Sequence, residues 1–307
     1  MLLRLCSCGL VLLFSVVGAP AFAEVPLDFD GNGRSDFTVF RPTTGTWWIN
    51  TGITVLQVRF GSAGDVPVPA DYNGDGITDV AVFRPSTSVF WIRLSPAGTV
   101  RYVPFGSPGD EPRVVADYDG DGEADVAVWR PSTTMLYVLR SSDGGVSYTP
   151  FGLSGDLPFP GLRWDLGGGR AYPTVYRPSD ATFYSLVNGG LVTRTIGDPA
   201  TDILGLPDRL GGSGSEWSSF TRTGGQAGAW RIEGETTFGT IEENATYGLA
   251  NDLPVRGDYG GDGKEDLGVV RDNGTNLVWY TAGLWGFTMT TWGLSGDIVP
   301  ASSFFWR

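Results

Sequence analysis

Histidine is absent from this sequence of 307 residues, and cysteine occurs only at Cys6 and Cys8. The lack of histidine excludes Ser-His-Asp and Cys-His nucleophilic sites, His-ligated zinc and the commonest general base. Lysine is nearly absent too, with Lys264 as its single example. A catalytic site would therefore have to use carboxylates, arginine or tyrosine.

The first 23 residues have the pattern of a secretory signal peptide. Arg4 precedes an apolar segment at residues 10–17, and small residues follow around Ala23. The apolar segment is too short for a permanent membrane helix. We therefore expect a signal peptide at residues 1–23 and a mature domain at residues 24–307, secreted or periplasmic, with no cysteine and no membrane span.

Acidic residues outnumber basic ones, and the formal net charge is −13. A nucleic-acid partner is disfavoured, because no basic surface is available to release counterions from phosphates. The acidity either serves solubility or gathers carboxylates around cations. Glycine and proline are abundant, with 46 and 20 residues, which is typical of an all-β fold with frequent tight turns.

A repeated segment runs through the chain. Three copies are closely similar: DFDGNGRSDFTVFRPT from Asp28, DYNGDGITDVAVFRPS from Asp71 and DYDGDGEADVAVWRPS from Asp117. DYGGDGKEDLGVVR from Asp258 is a fourth, and degenerate copies begin at Asp165 and Asp208. The starts are 43 to 50 residues apart, and a Phe-Gly motif such as FGSAGDVP recurs before most of them.

Short apolar runs between these motifs predict four strands in each repeat. Four antiparallel strands in about 40–50 residues correspond to one blade of a β-propeller. We predict an all-β propeller with six blades. The segment after Asp297 either closes this ring or forms a reduced seventh blade.

The repeated loops predict calcium sites. Side-chain oxygens alternate at positions 1, 3, 5 and 9 of each loop, and glycines at positions 4 and 6 permit a tight turn. Oxygen ligands without Cys or His select a hard cation, and calcium suits an all-protein cage better than magnesium does. The predicted ligands are Asp28, Asp30, Asn32 and Asp36; Asp71, Asn73, Asp75 and Asp79; Asp117, Asp119, Asp121 and Asp125; and Asp258, Asp262 and Asp266.

These four loops are not equivalent. The last has Gly260 at position 3, so three strong sites and one weaker site are expected, with calcium mainly structural. The copies at Asp165 and Asp208 should be metal-free. An EF-hand is rejected because Val39, Val82 and Val128 stand where it requires a bidentate glutamate. Simple Asx-Gly turns remain the alternative to metal binding.

With these motifs, the chain resembles the FG-GAP/VCBS repeat family, the propeller type of integrin alpha subunits and many secreted bacterial proteins. The resemblance covers residues 24–307. It implies a ring of four-stranded blades with calcium in the loop that joins the first two strands. Members include adhesion receptors, lectins and accessory domains of enzymes, so the family alone does not specify a function.

Arginines and aspartates recur once per repeat. Arginine closes the strand after most loops, as at Arg41 and Arg84, and aspartate recurs with a similar period, as at Asp65 and Asp110. A repeated bidentate ion pair is the favoured interpretation, and an arginine-lined pocket for anionic glycans is the alternative.

Aromatic residues follow these arginines, and blade packing is their expected role. Trp47 and Trp48 are adjacent, so they must point to opposite faces of a strand. We predict Trp47 and Trp230 as candidate exposed contacts for a ligand.

Two functions fit these features. The first is a non-catalytic binding or adhesion module for a glycan or an extracellular protein. The second is a carbohydrate-active enzyme that uses carboxylates of the irregular region 208–251, where Glu233, Glu235, Glu242 and Glu243 are candidates.

Overall fold

A computed structural model describes residues 25–163, 170–198, 200–205, 217–221, 227–236, 239–283 and 286–302. Within these residues, 22 strands form six sheets, which are the blades of a six-bladed β-propeller. The all-β prediction and the favoured blade number are both confirmed. No helix of the described part is long and apolar enough to cross a membrane.

The first three blades span residues 37–150. Their strands are β1 (Phe37–Arg41), β2 (Thr46–Asn50), β3 (Val55–Arg59); β4 (Val66–Pro67), β5 (Val80–Arg84), β6 (Val89–Arg93), β7 (Val100–Pro104); and β8 (Val126–Arg130), β9 (Met135–Leu139), β10 (Val146–Pro150). In blade 3, Glu111 pairs with Trp129 of β8 in an antiparallel bridge, and this short segment takes the place of the innermost strand.

The last three blades contain four regular strands each. They are β11 (Leu157–Arg163), β12 (Ala171–Arg177), β13 (Thr182–Val187), β14 (Gly190–Thr195); β15 (Asp202–Gly205), β16 (Trp217–Thr221), β17 (Ala227–Thr236), β18 (Gly239–Leu249); and β19 (Leu253–Val255), β20 (Leu267–Asp272), β21 (Asn276–Gly283), β22 (Gly286–Leu294). A short 3-10 helix, Pro300–Ser302, follows.

Burial changes from the inner to the outer strands of each blade. The strand that follows the acidic loop is buried on both faces, as in β5, where Val82 is fully buried. The next strand alternates between buried and partly exposed residues, and the outer strand is largely exposed, as β6 and β7 show. The core therefore lies between blades, where one sheet packs on the next.

The C-terminal segment closes the ring by completing blade 1. Phe40 N donates to Ile298 O and Ile298 N donates to Phe40 O, both at 2.8 Å. This antiparallel bridge gives blade 1 the innermost strand that its own sequence lacks. The first of the two predictions for this segment is thus confirmed, because it closes a six-bladed ring.

Candidate metal centre

Each acidic loop enters the buried second strand of its blade, and its first aspartate organises the turn. Asp28 accepts hydrogen bonds from the backbone nitrogens of Gly31, Asn32 and Gly33 at 2.7–3.1 Å. Gly33 has a φ of +79°, in the left-handed region that favours glycine. The first aspartates of the loops at 71, 117 and 258 make the same kind of contact.

The last aspartate of each loop is buried and fixes the other end of the turn. Asp36 accepts a hydrogen bond from Phe29 N at 2.8 Å, and Asp79 accepts one from Tyr72 N at 2.9 Å. The corresponding carboxylate of the third loop, Asp125, accepts from Tyr118 N at 2.8 Å. These contacts hold the carboxylate at position 9 beside the one at position 1.

Three loops bring three carboxylates together, with one ligand atom from each residue within 4.8 Å of the others. The clusters are Asp28, Asp30 and Asp36; Asp117, Asp119 and Asp125; and Asp258, Asp262 and Asp266. Thus the loop with Gly260 at position 3 still assembles its three carboxylates. The predicted difference in affinity between this loop and the others stays a prediction.

Burial and like charge make these carboxylates costly to ionise. Burial, followed by repulsion from Asp30 and Asp28, raises the pKa of Asp36 to about 8. Burial raises the pKa of Asp79 and of Asp266 to about 6 in the same way. A bound cation removes this repulsion. The donor set, which consists of carboxylate oxygens held within 4.8 Å, therefore fits a hard divalent ion.

The second loop has the amide of Asn73 at position 3, where the third loop has the carboxylate of Asp119. Asn73 donates from Nδ2 to Asp75 Oδ2 at 3.0 Å and to Ser95 O at 3.3 Å. Asp71 and Asp79 stand at the two ends of this loop as in the others. Its predicted ligands are therefore neighbours, although they do not form one of the three-carboxylate clusters found in the described chain.

In blade 3, two serines from the turn between β9 and β10 also contact the predicted ligands. The sequence did not predict these contacts. Ser141 Oγ donates to Asp121 at 2.9 Å and to Asp125 at 2.8 Å. Ser142 Oγ donates to Asp119 at 2.6 Å. Their only signal in the sequence is a serine pair in a turn, which is too common to indicate a role.

Neighbouring loops are joined by backbone hydrogen bonds. Asp28 O accepts from Thr78 N at 2.7 Å, and Asp71 O accepts from Ala124 N at 2.7 Å. At the ring closure, Asp258 O accepts from Ser35 N at 2.8 Å. The donor in each case directly precedes the last aspartate of the next loop, so the loops form a connected series around one face of the ring.

The two degenerate copies fall largely on residues outside the described part of the chain. Asp165 and Asp208 both lie there, so the expectation that these loops are metal-free stays a prediction.

The recurring arginines and aspartates form the predicted ion pairs. Each guanidinium binds its carboxylate through Nε and Nη2 at 2.7–3.0 Å, and it also lies 4.2–5.5 Å from an aromatic ring centroid. The pairs are Arg41–Asp297, Arg84–Asp65, Arg130–Asp110, Arg177–Asp156 and Arg271–Asp252. The structural interpretation of the repeat is confirmed, since the carboxylate in each pair is almost completely buried.

The expected exposure of Trp47 and Trp230 is wrong. Their exposed fractions are 0% and 3%, and their indole nitrogens donate to Phe60 O and Tyr247 O. Both side chains point into the packing between blades, where such hydrogen bonds satisfy a buried indole. Trp48, on the opposite face of the same strand, is the partly exposed member of its pair.

The fold and these loops define the class of protein: a β-propeller whose blades carry Asp-rich loops. The model of the FG-GAP-like repeat matches residues 28–82 and 71–128. The resemblance to the FG-GAP/VCBS repeat family is thereby confirmed for residues 28–128. A propeller with FG-GAP repeats fits a binding or adhesion module.

Comparison with solved structures finds similarity to proteins of distant sequence. AofleA from Arthrobotrys oligospora is 9% identical, with 90% of each chain covered and a TM-score of 0.51. A catalytically inactive virginiamycin B lyase from Staphylococcus aureus, crystallised with quinupristin, is 10% identical, with 88% of each chain covered and a TM-score of 0.49. Among curated proteins, none matches the sequence. At these identities the likeness concerns the fold alone.

Proposed function

We propose that the acidic loops bind calcium and that calcium is mainly structural. The observation that carries this proposal is the assembly of three carboxylates within 4.8 Å in each of three loops. Calcium takes carboxylate and carbonyl oxygens in flexible geometry, which suits these ligands. An ion in one loop would also steady the next, because the loops are joined through backbone hydrogen bonds such as Thr78 N to Asp28 O.

The ions would stabilise the folded domain in the way that disulfides stabilise many exported proteins. Both cysteines precede residue 24, and the proposed mature chain therefore has none. Metal binding to the folded state alone stabilises it by mass action. We also propose, from the signal-peptide pattern of residues 1–23, that the protein is exported from the cytoplasm, and N-terminal sequencing of the exported chain should find Glu24 as the first residue.

The same proposal assigns the ring a non-catalytic binding role toward a glycan or an extracellular protein. The FG-GAP-like repeats support it, and so does the internal use of the recurring arginines in ion pairs with buried aspartates. Because a buried aspartate matches the charge of each of them, those arginines are poorly suited to bind an anion. Ligand contacts would then come from loops and from the junctions between blades.

The alternative function is glycoside cleavage in the region 208–251. Glu233 on β17 is the register partner of Glu242 on β18. The two residues are therefore direct cross-strand neighbours, which is the observation that favours this alternative. A pair of carboxylates is the requirement of such chemistry.

One experiment separates the two functions. The mature chain is applied to an array of glycans and extracellular proteins with calcium or with chelator, and glycan cleavage products are assayed in parallel. Saturable binding without product, weakened by chelator as the ring loosens, supports the binding module. Turnover that disappears in both Glu233→Gln and Glu242→Gln would contradict it and favour the enzyme.

A further inference from the structure

A cleft of about 400 Å³ opens where blade 6 meets blade 1. Blade 1 contributes Arg41, Trp48 and Val55, and the β21–β22 hairpin of blade 6 contributes Asn276, Thr291 and Trp292. Its volume lies in the lower part of the range of about 300–1,000 Å³ that is typical of small-molecule sites. The cleft therefore has the size for a ring-shaped ligand with its substituents.

Trp48 and Trp292 both line this cleft, because tryptophan replaces phenylalanine at one repeated position. Trp292 O accepts a hydrogen bond from Trp279 Nε1, as Phe60 O does from Trp47 Nε1 in blade 1. Trp292 thus occupies the place of the phenylalanine in the Phe-Gly motif. Its own Nε1 donates to Trp48 O at 3.2 Å, which joins the two sides of the junction.

The ring of Trp48 lacks the aromatic neighbour that its counterpart in blade 2 has. In blade 2 the corresponding Trp91 is packed edge-on by Tyr102 from β7, with ring centroids 4.6 Å apart. In blade 1 the register partner of Trp48 on β3 is Gln57, and β3 contains no aromatic residue. The guanidinium of Arg41 lies 5.5 Å from the Trp48 ring centroid, whereas that of Arg84 lies 4.2 Å from the Trp91 ring centroid.

The cleft is close to electrically neutral. The charge of Arg41 is already matched by Asp297, through contacts of 2.8 Å from both Nε and Nη2. The remaining polar groups named above are the amide of Asn276 and the hydroxyl of Thr291, which donate and accept hydrogen bonds without carrying charge. An anionic ligand would have to compete with Asp297, so an uncharged ligand with hydroxyl groups is favoured.

We infer that this cleft binds a neutral pyranose residue of a glycan. This inference rests on the proposed binding function and gives it a site. The negative faces of the two indoles complement the weakly positive C–H face of a sugar ring. The amide, the hydroxyl and the outer edge of the guanidinium are suited to the hydroxyl groups around that ring.

Binding at this place requires a closed ring. The two sides of the cleft lie at opposite ends of the chain, residues 41–55 and 276–294, and they meet only when blade 6 has docked on blade 1. A ligand that bridges them binds the folded chain and not the unfolded one. It must therefore raise Tm, by an amount that grows with the ratio of the free ligand concentration to Kd.

The test uses substitutions that the chain itself tolerates elsewhere. Trp48→Tyr introduces the residue found at positions 137 and 184, and Trp292→Phe introduces the residue found at position 60. The matched control is Trp91→Tyr, the same change at a junction where Tyr102 covers the ring. Asn276→Ala is a second variant that leaves both indoles in place.

An array of neutral and anionic glycans, co-printed with extracellular matrix proteins, identifies the probe, and the methyl glycoside of the best neutral sugar is then titrated by calorimetry. We expect the Trp48→Tyr/Trp292→Phe double variant to lose affinity by about tenfold or more, and Asn276→Ala to lose several-fold. Trp91→Tyr should bind like the wild type. The sugar should raise the Tm of the wild type but not that of the double variant.

Three results would overturn the inference, and they separate it from the proposed function. Undiminished binding of a neutral sugar to the double variant would place the site elsewhere and keep the binding module. Binding confined to anionic glycans or to matrix proteins would do the same. Binding to none of the printed ligands would contradict the site and the binding function together.

Discussion

Arg84 shows how the repeated polar residues act at the scale of single side chains. Its guanidinium binds Asp65 through two contacts and lies over Trp91, so one side chain joins a buried carboxylate to the aromatic packing. The carboxylate side chain is only 2% exposed, against 21% for the arginine. The pair therefore positions the end of β5 at the edge of the core.

Arg84→Ala should lower the free energy of unfolding by about 2–3 kcal/mol, because the buried Asp65 carboxylate loses its partner. The control is Arg140→Ala, which removes an arginine from Asp143, a side chain that is 57% exposed. That variant should unfold like the wild type. Urea denaturation measures both. Unchanged stability of Arg84→Ala with loss of ligand binding would contradict the structural role.

Sequence periodicity predicted these pairs, but it did not predict which tryptophan of blade 1 is exposed. Alternation along β2 requires Trp47 and Trp48 to face opposite sides. Which side is the core depends on the neighbouring blade, and that information is not local. Trp47 contacts the ring of Phe40, with centroids 5.3 Å apart, whereas Trp48 borders the cleft.

At the scale of elements, the loop is the unit that the sequence specifies best. The spacing of Asp28, Asp30 and Asp36, with glycines between them, is a local property and was sufficient to predict the cluster. The serines that approach from another turn, such as Ser141, were not predictable because their position depends on how β9 pairs with β8 and with β10. The local cluster of carboxylates was predicted, and the non-local contacts of the serines with it were missed.

The raised pKa of a loop carboxylate predicts how the stability of the chain depends on pH. The pKa of Asp36 is raised to about 8, chiefly by burial, above the value near 3.9 of aspartate in an unfolded chain. Without calcium, the folded chain holds a proton that the unfolded chain has released, so stability falls as the pH rises from about 4 to about 8. Calcium needs the ionised carboxylate, and the rise in Tm that it causes should therefore grow over the same interval.

Asp36→Asn is the matched variant, since asparagine cannot ionise and can still accept from Phe29 N. In chelator, the decline of its Tm with pH should be shallower than that of the wild type. Differential scanning calorimetry across this pH range, with calcium or with chelator, measures both effects. An equal pH dependence in the two proteins would contradict the role given to Asp36.

At the scale of the whole molecule, closure depends on a pairing between the ends of the chain. Ile298 exchanges two backbone hydrogen bonds of 2.8 Å with Phe40, and the adjacent Asp297 binds Arg41. The repeat period alone allowed a seventh reduced blade, because spacing does not reveal which strand pairs with which. The six-bladed count follows from this long-range contact.

Ile298→Pro should lower the free energy of unfolding by about 2 kcal/mol or more, because proline cannot donate to Phe40 O and fits poorly between paired strands. Ile298→Val is the control, since it retains both backbone hydrogen bonds and most of the side chain. Thermal unfolding followed by circular dichroism compares the two. Equal Tm values would show that the bridge does not hold the ring closed.

The central claim, that the ring is held by calcium, is tested most directly by counting the ions. Native mass spectrometry of the mature chain, titrated with calcium after chelation, should show uptake of four ions, three of them at lower free calcium than the fourth. The triple variant Asp36→Asn/Asp125→Asn/Asp266→Asn, which alters the three carboxylate clusters, should retain at most one. A wild-type chain that takes up no more calcium than this variant, with an unchanged Tm, would contradict the account.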